Sequence, residues 1–114
     1  MITEVIRYRI PAAQAEHFEQ AYHQTETILR ASEHCLGYQL LHGIEEPENW
    51  VLLLFWDSVE GHEQGFRREK YFREFFNLVK PFLNQIQEMK HYQISKMAYQ
   101  ATKTANAAHF NAYA

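Results

Sequence analysis

Seven consecutive residues, WVLLLFW at positions 50–56, carry no charge and no hydroxyl group. Polar EEPEN with Pro47 precedes the run and Asp57 and Ser58 follow it, so it has the length of a strand and falls far short of the ~20 apolar residues of a membrane span. Its apolar residues do not alternate with polar ones, so both faces of the strand must be covered. A chain of 114 residues holds one domain and one core. Its helices cover one face; a second copy of the chain is the expected cover for the other, which predicts a homodimer assembled through the sheet face.

The rest of the chain supplies the partners of that strand. Ile2, Glu4, Ile6, Tyr8 and Ile10 alternate with Thr3, Val5, Arg7 and Arg9, the period of two of a first strand over 2–10. Pro11 suits the first turn of a helix, and Phe18, Tyr22, Thr25 and Leu29 follow at helical spacing, predicting a helix to about residue 32. LGYQLLHGI at 36–44 reads as a second strand, joined to 50–56 through a hairpin-like loop. Asp57 or Ser58 caps a second helical region. Gly61 and Gly65 weaken its first half, so two pieces with a break near 68–70 and an end around Pro81 are expected. A last strand spans about 86–95.

Strand, helix, strand, strand, helix, strand is the order of a ferredoxin-like α+β domain, a four-stranded antiparallel sheet with helices on one face. Two such sheets packed face to face form a dimeric α/β barrel. Residues 1–95 make up this domain, and 96–114 form an Ala-rich extension. Ala98, Ala101, Ala105, Ala108 and Ala112 step by three and four, so a helix over 96–113 packed on the dimer is expected.

Several function classes drop out. The net charge is −3 and the basic residues are dispersed, which argues against a nucleic-acid surface. Arg67, Arg68, Lys70 and Arg73 are interrupted by Glu69 and Glu74 and read as a solvated helix face. Cys35 is the only cysteine. His17 and His23 are six apart, on different faces of a helix, and HEQGF around His62 is not the H-E-x-x-H pattern, so no metal site is expected. The N-terminal MITEVIRYRI lacks the apolar stretch of a secretory signal, and a cytoplasmic protein without membrane contact is expected.

WDSVEGHEQGFRREKYF at 56–72, followed by VKPF and by MKHY on the final strand, resembles the antibiotic biosynthesis monooxygenase family, in order over roughly residues 2–95. The resemblance implies a homodimeric α/β barrel with a pocket between sheet and helices. In some members that pocket oxidises polycyclic phenols or quinols with O₂, using neither metal nor flavin. Trp56, Ser58, His62, Phe66, Arg67 and Phe72, with His91 and Tyr92, sit at positions similar to one branch of the family. The haem-degrading branch has an Asn on strand one that this chain lacks, and its helix Trp and His fall here at about Gly65 and Phe75 or Phe76.

Among titratable residues His62 is the candidate base, one turn into a helix behind the apolar strand; the plainer reading is a half-exposed helix residue bonded to backbone or water. Trp56, Phe66, Phe72 and Phe76 read first as core, with one or two bordering a cavity that would take a flat aromatic ligand. Tyr22, and with it Tyr38, offers a phenol that orients a substrate or reaches the surface, and His91 lines the pocket if it shares a face with Met89. Two functions follow: a cofactor-independent monooxygenase acting on a small aromatic or quinol-like compound, or a non-catalytic ligand-binding or assembly module on the same fold.

Overall fold

The computed structural model describes residues 1–101. β1 (Ile2–Arg9) leads through a short 3₁₀ turn into α1 (Ala15–Gln24) and α2 (Glu26–Ala31). β2 (Cys35–His42) and β3 (Asn49–Trp56) form a hairpin. A helical segment over 59–68, α3 (Phe72–Val79) and a 3₁₀ turn (Lys80–Gln85) then return the chain to β4 (Ile86–Gln93). The sheet order is β2-β3-β1-β4 and every neighbouring pair is antiparallel, the ferredoxin-like arrangement expected from the order of elements.

Register decides which residues meet over the inner face. Glu4 lies opposite Leu54 on β3 and opposite His91 on β4; Ile6 lies between Leu52 and Met89; Tyr8 faces Trp50. These side chains and the helices enclose a core that includes Phe18, Leu29, Trp56, Phe66 and Phe82. The strand read as apolar on both faces is so: Leu52 and Leu54 are buried inward, while Val51 and Leu53 stand half-buried on the outer face.

Two details differ from the sequence reading. The first helix breaks at Thr25, whose backbone N–H and Oγ1 both bond the Tyr22 carbonyl, at 3.0 and 2.6 Å. A buried threonine that turns its hydroxyl back on the preceding turn competes with the helical ladder there. The helix expected over 96–113 does not begin at 96, since 96–101 has no regular structure; its remainder lies outside the described residues. The break expected near 68–70 is present, with Glu69 extended (ψ 156°) between the two helical pieces.

Candidate functional site

His62 reaches the inner face because of the way its segment is built. Ser58 Oγ accepts a hydrogen bond from the Gly61 N–H (2.8 Å), capping the segment, and residues Gly61–Gly65 form one π-helical turn, a device that re-aims side chains. A side chain at Gly61 would strike the Asp57 carboxylate, and one at Gly65 the ring of His34. The two glycines therefore let this turn rest on the His34–Asp57 pair, itself joined at 2.8 Å. They read in sequence as helix weakeners; in the fold they set the height of His62 above the sheet.

The His62 ring is 4% exposed and lies flat on Trp56, with centroids 4.5 Å apart and planes 14° apart. The half-exposed reading is thereby corrected: a buried strand tryptophan supplies the surface that draws the ring inward. His62 Nε2 is 3.4 Å from Glu4 Oε1, and Nδ1 is 2.8 Å from His91 Nε2. Trp56 Nε1–H donates to Glu4 Oε1 at 3.1 Å. Glu4, 1% exposed, is the residue that sequence reasoning passed over, although its place in the alternation with Ile2, Ile6 and Tyr8 had already set a carboxyl on the buried face.

Burial pushes the Glu4 carboxyl up to about 7, against the Trp56 hydrogen bond and the Arg67 charge, which pull it down. Burial pushes His62 down to about 4, with the Arg67 and His91 charges acting the same way. At neutral pH the imidazole is therefore neutral, and the pair holds at most one proton beyond it, centred on the carboxyl.

That proton count makes a testable prediction about stability. Between about pH 4.5 and 6.5 the unfolded pair carries one exchangeable proton on histidine and the folded pair one on the carboxyl, so the two shifts cancel. In His62→Phe only the raised Glu4 remains. Its contribution is fully present below the unfolded value of 4.5 and is lost as pH rises through about 7. Urea unfolding of that variant should show about 3 kcal/mol lost across this window, while the wild type stays nearly flat. Equal slopes for the two proteins would contradict the shifts.

Beside the pair lies a cavity of about 430 Å³ between sheet and helices, within the size range of small-molecule sites. All four rings considered from the sequence, Trp56, Phe66, Phe72 and Phe76, border it, more than the one or two expected. The reason is spacing: Phe66 packs edge-on against Phe72 and Phe75 at 5.5 and 5.1 Å, so the rings form a wall and do not fill the space beneath. Tyr22 also lines the cavity; Tyr38 does not, being held by Glu26 and Arg30 elsewhere. Arg67 stays exposed, as the solvated face expected for it implies, and also lines the cavity. His91 shares the inner face with Met89 but stands behind His62 and reaches the cavity only through it.

Ligand atoms of Glu4, His62 and His91 also lie within 4.8 Å of one another, near enough for a divalent cation, a grouping invisible in sequence because it draws on three elements. His62 turns a different ring nitrogen to each neighbour, the arrangement of a hydrogen-bonded chain; coordination would bring the donors together on one side.

An antiparallel sheet under helices, with a ring-walled cavity and a buried carboxyl–imidazole pair at one end, makes this a small ferredoxin-like domain with a cavity of its own. Residues 1–78 match the model of the antibiotic biosynthesis monooxygenase family, and the chain belongs to that family. It is similar to the uncharacterised Bacillus subtilis protein YczJ, 26% identical over 93 residues that cover 82% of this chain and 98% of YczJ. Among solved structures it resembles a Bordetella bronchiseptica protein assigned to the antibiotic biosynthesis monooxygenases, at TM-score 0.69 and 25% identity over 82% of this chain and 96% of that one. It shares the fold of SnoaB, a cofactor-independent oxygenase from Streptomyces nogalater, at TM-score 0.68 and 15% identity, covering 84% of this chain and 94% of SnoaB. Among the described residues no helix is long and apolar enough to cross a membrane.

Proposed function

We propose that this chain is a cofactor-independent monooxygenase acting on a small aromatic, quinol-like compound. The observation that carries the reading is a buried acid–base pair, Glu4 and His62, opening onto an aromatic-walled cavity. A phenolic hydroxyl against the pair loses its proton to it, and Arg67 at the cavity favours the resulting anion. That anion gives one electron to O₂, and the radical pair combines at a ring carbon as a hydroperoxide. Loss of water leaves a carbonyl, so that a ring CH₂ and O₂ become C=O and H₂O. His91, half-buried at the sheet edge, passes the proton between His62 and solvent. His62 is then the catalytic residue; Trp56, Phe66, Phe72, Phe76 and Tyr22 bind the substrate.

The test is O₂ uptake with anthrone-like and quinol substrates in the presence of a metal chelator. Uptake that persists under chelation supports the reading. Uptake that appears only when a divalent metal is restored places an ion on Glu4, His62 and His91 instead. A substrate that binds without any uptake points to the ligand-binding module.

The domain at 1–95 works, in this reading, as a cytoplasmic homodimer, its outer sheet faces closed on each other as an α/β barrel with 96–114 as an accessory extension. Val51 and Leu53 on that face support this, with Leu41, 41% exposed, beside them on β2. Leu53→Asp should give a folded monomer by sedimentation at micromolar concentration, because the charge enters the interface alone. Leu52→Asp, turned into the core, should fail to fold. A wild-type protein that sediments as a monomer would remove the dimer.

A further inference from the structure

The end of the cavity away from Glu4 holds a second polar group that the proton chemistry does not use. Tyr8 and Tyr22 both line the cavity, are 1% and 5% exposed, and are hydrogen-bonded to each other through their hydroxyls. Two hydroxyls carry two protons, and one of these makes the bond between them. The other has no acceptor among the described residues. A buried O–H without a partner is costly, so one facing a cavity marks the place of a ligand atom.

Strand geometry sets the distance between the two polar ends. Glu4, Ile6 and Tyr8 lie successively on the inner face of β1, with Ile6 as the floor between them. Four residues of strand put their Cα atoms ~13 Å apart, and both side chains lean into the same cavity. What fits is a flat ligand with a polar atom at each end.

We propose that the Tyr8–Tyr22 hydroxyl pair is a second anchor of the cavity, donating to a neutral acceptor oxygen at the end of the ligand opposite the hydroxyl that meets Glu4 and His62. This rests on the reading of the cavity as an aromatic-ligand site and adds the residues that hold the far end of the ligand. The hydroxyl that accepts from its neighbour is polarised by it and becomes the stronger donor to the ligand. Burial holds both phenols well above their ordinary range, Tyr8 at about 12, so the anchor stays protonated and donates to an uncharged oxygen at any pH at which the domain functions.

Two unreactive ligands separate the anchor from the rest of the site: hydroxytetralone, with a phenol on one ring and a ketone on the other, and tetrahydronaphthol, the same skeleton without the ketone. Calorimetric titration of the full chain should show hydroxytetralone binding about tenfold more tightly, the upper range for one hydrogen bond between neutral groups. Tyr8→Phe/Tyr22→Phe removes both hydroxyls together and so leaves no orphaned partner; it should fold as the wild type does and bind the two ligands equally. Either single variant keeps one hydroxyl and should retain part of the preference. Equal binding of both ligands to the wild type, or a preference that survives in the double variant, overturns the anchor and leaves the aromatic-ligand reading standing. Failure of the wild type to bind either ligand overturns both.

Discussion

His62→Ala should lower O₂ uptake on a quinol substrate by ~10²–10⁴-fold, the usual contribution of a positioned proton-transfer group, while the protein remains folded. The loss has a mechanical origin in the structure. In the proposed reading His62 links the Glu4 carboxyl, which burial pushes up to about 7, to the half-buried His91, through which the proton reaches water. Without the ring, Glu4 can accept one proton and has no route by which to release it.

The pH profile distinguishes this from a merely structural role. In the wild type kcat/KM should rise with pH and level off above about 7, as the pair loses its shared proton and becomes able to accept another. Glu4→Gln has no carboxyl to titrate, so that limb should disappear along with most of the rate. A His62→Ala enzyme with unchanged turnover would remove the pair from the chemistry. An unchanged profile in Glu4→Gln would assign the base elsewhere.

Much of the fold was legible because it is written in short-range pattern. The alternation in 2–10 and the unbroken apolar run in 50–56 are properties of neighbours in sequence, and so is the helix interruption at Glu69. The site was legible only in part. His62 could be named from its type and its position on a helix, but its inward turn depends on Trp56 beneath it and on a π-helical turn that Gly61 and Gly65 permit against His34 and Asp57. Glu4 was visible as a charge on an apolar face, the one local signal of the pair. Its meaning comes from partners 52, 58 and 87 positions away, at Trp56, His62 and His91, which only the strand register brings together. Whether a stripe of rings fills a core or walls a cavity is likewise a matter of three-dimensional packing, which spacing along the chain does not encode.

Trp56 joins the stability of the fold to the function of the site, and its truncation should show both effects. The side chain is fully buried at the end of β3, stacks on His62, contacts Phe66 at 5.0 Å and donates to Glu4. Trp56→Ala removes the largest of these buried rings and should cost about 3–5 kcal/mol, a large share of the ~5–15 kcal/mol that holds a domain of this size together. Loss of ligand binding in that variant would follow from the fold alone. Trp56→Phe separates the two contributions, because it keeps an aromatic surface under His62, costs less core volume than alanine and removes the indole N–H. Glu4 then loses the donor that holds its carboxyl down against burial, so the rising limb of kcat/KM should move to higher pH while the domain still unfolds cooperatively. Thermal unfolding and a pH–rate profile on the same Trp56→Phe protein measure both. A limb that stays at about 7 in a stable variant would show that the Trp56–Glu4 hydrogen bond does not tune the base.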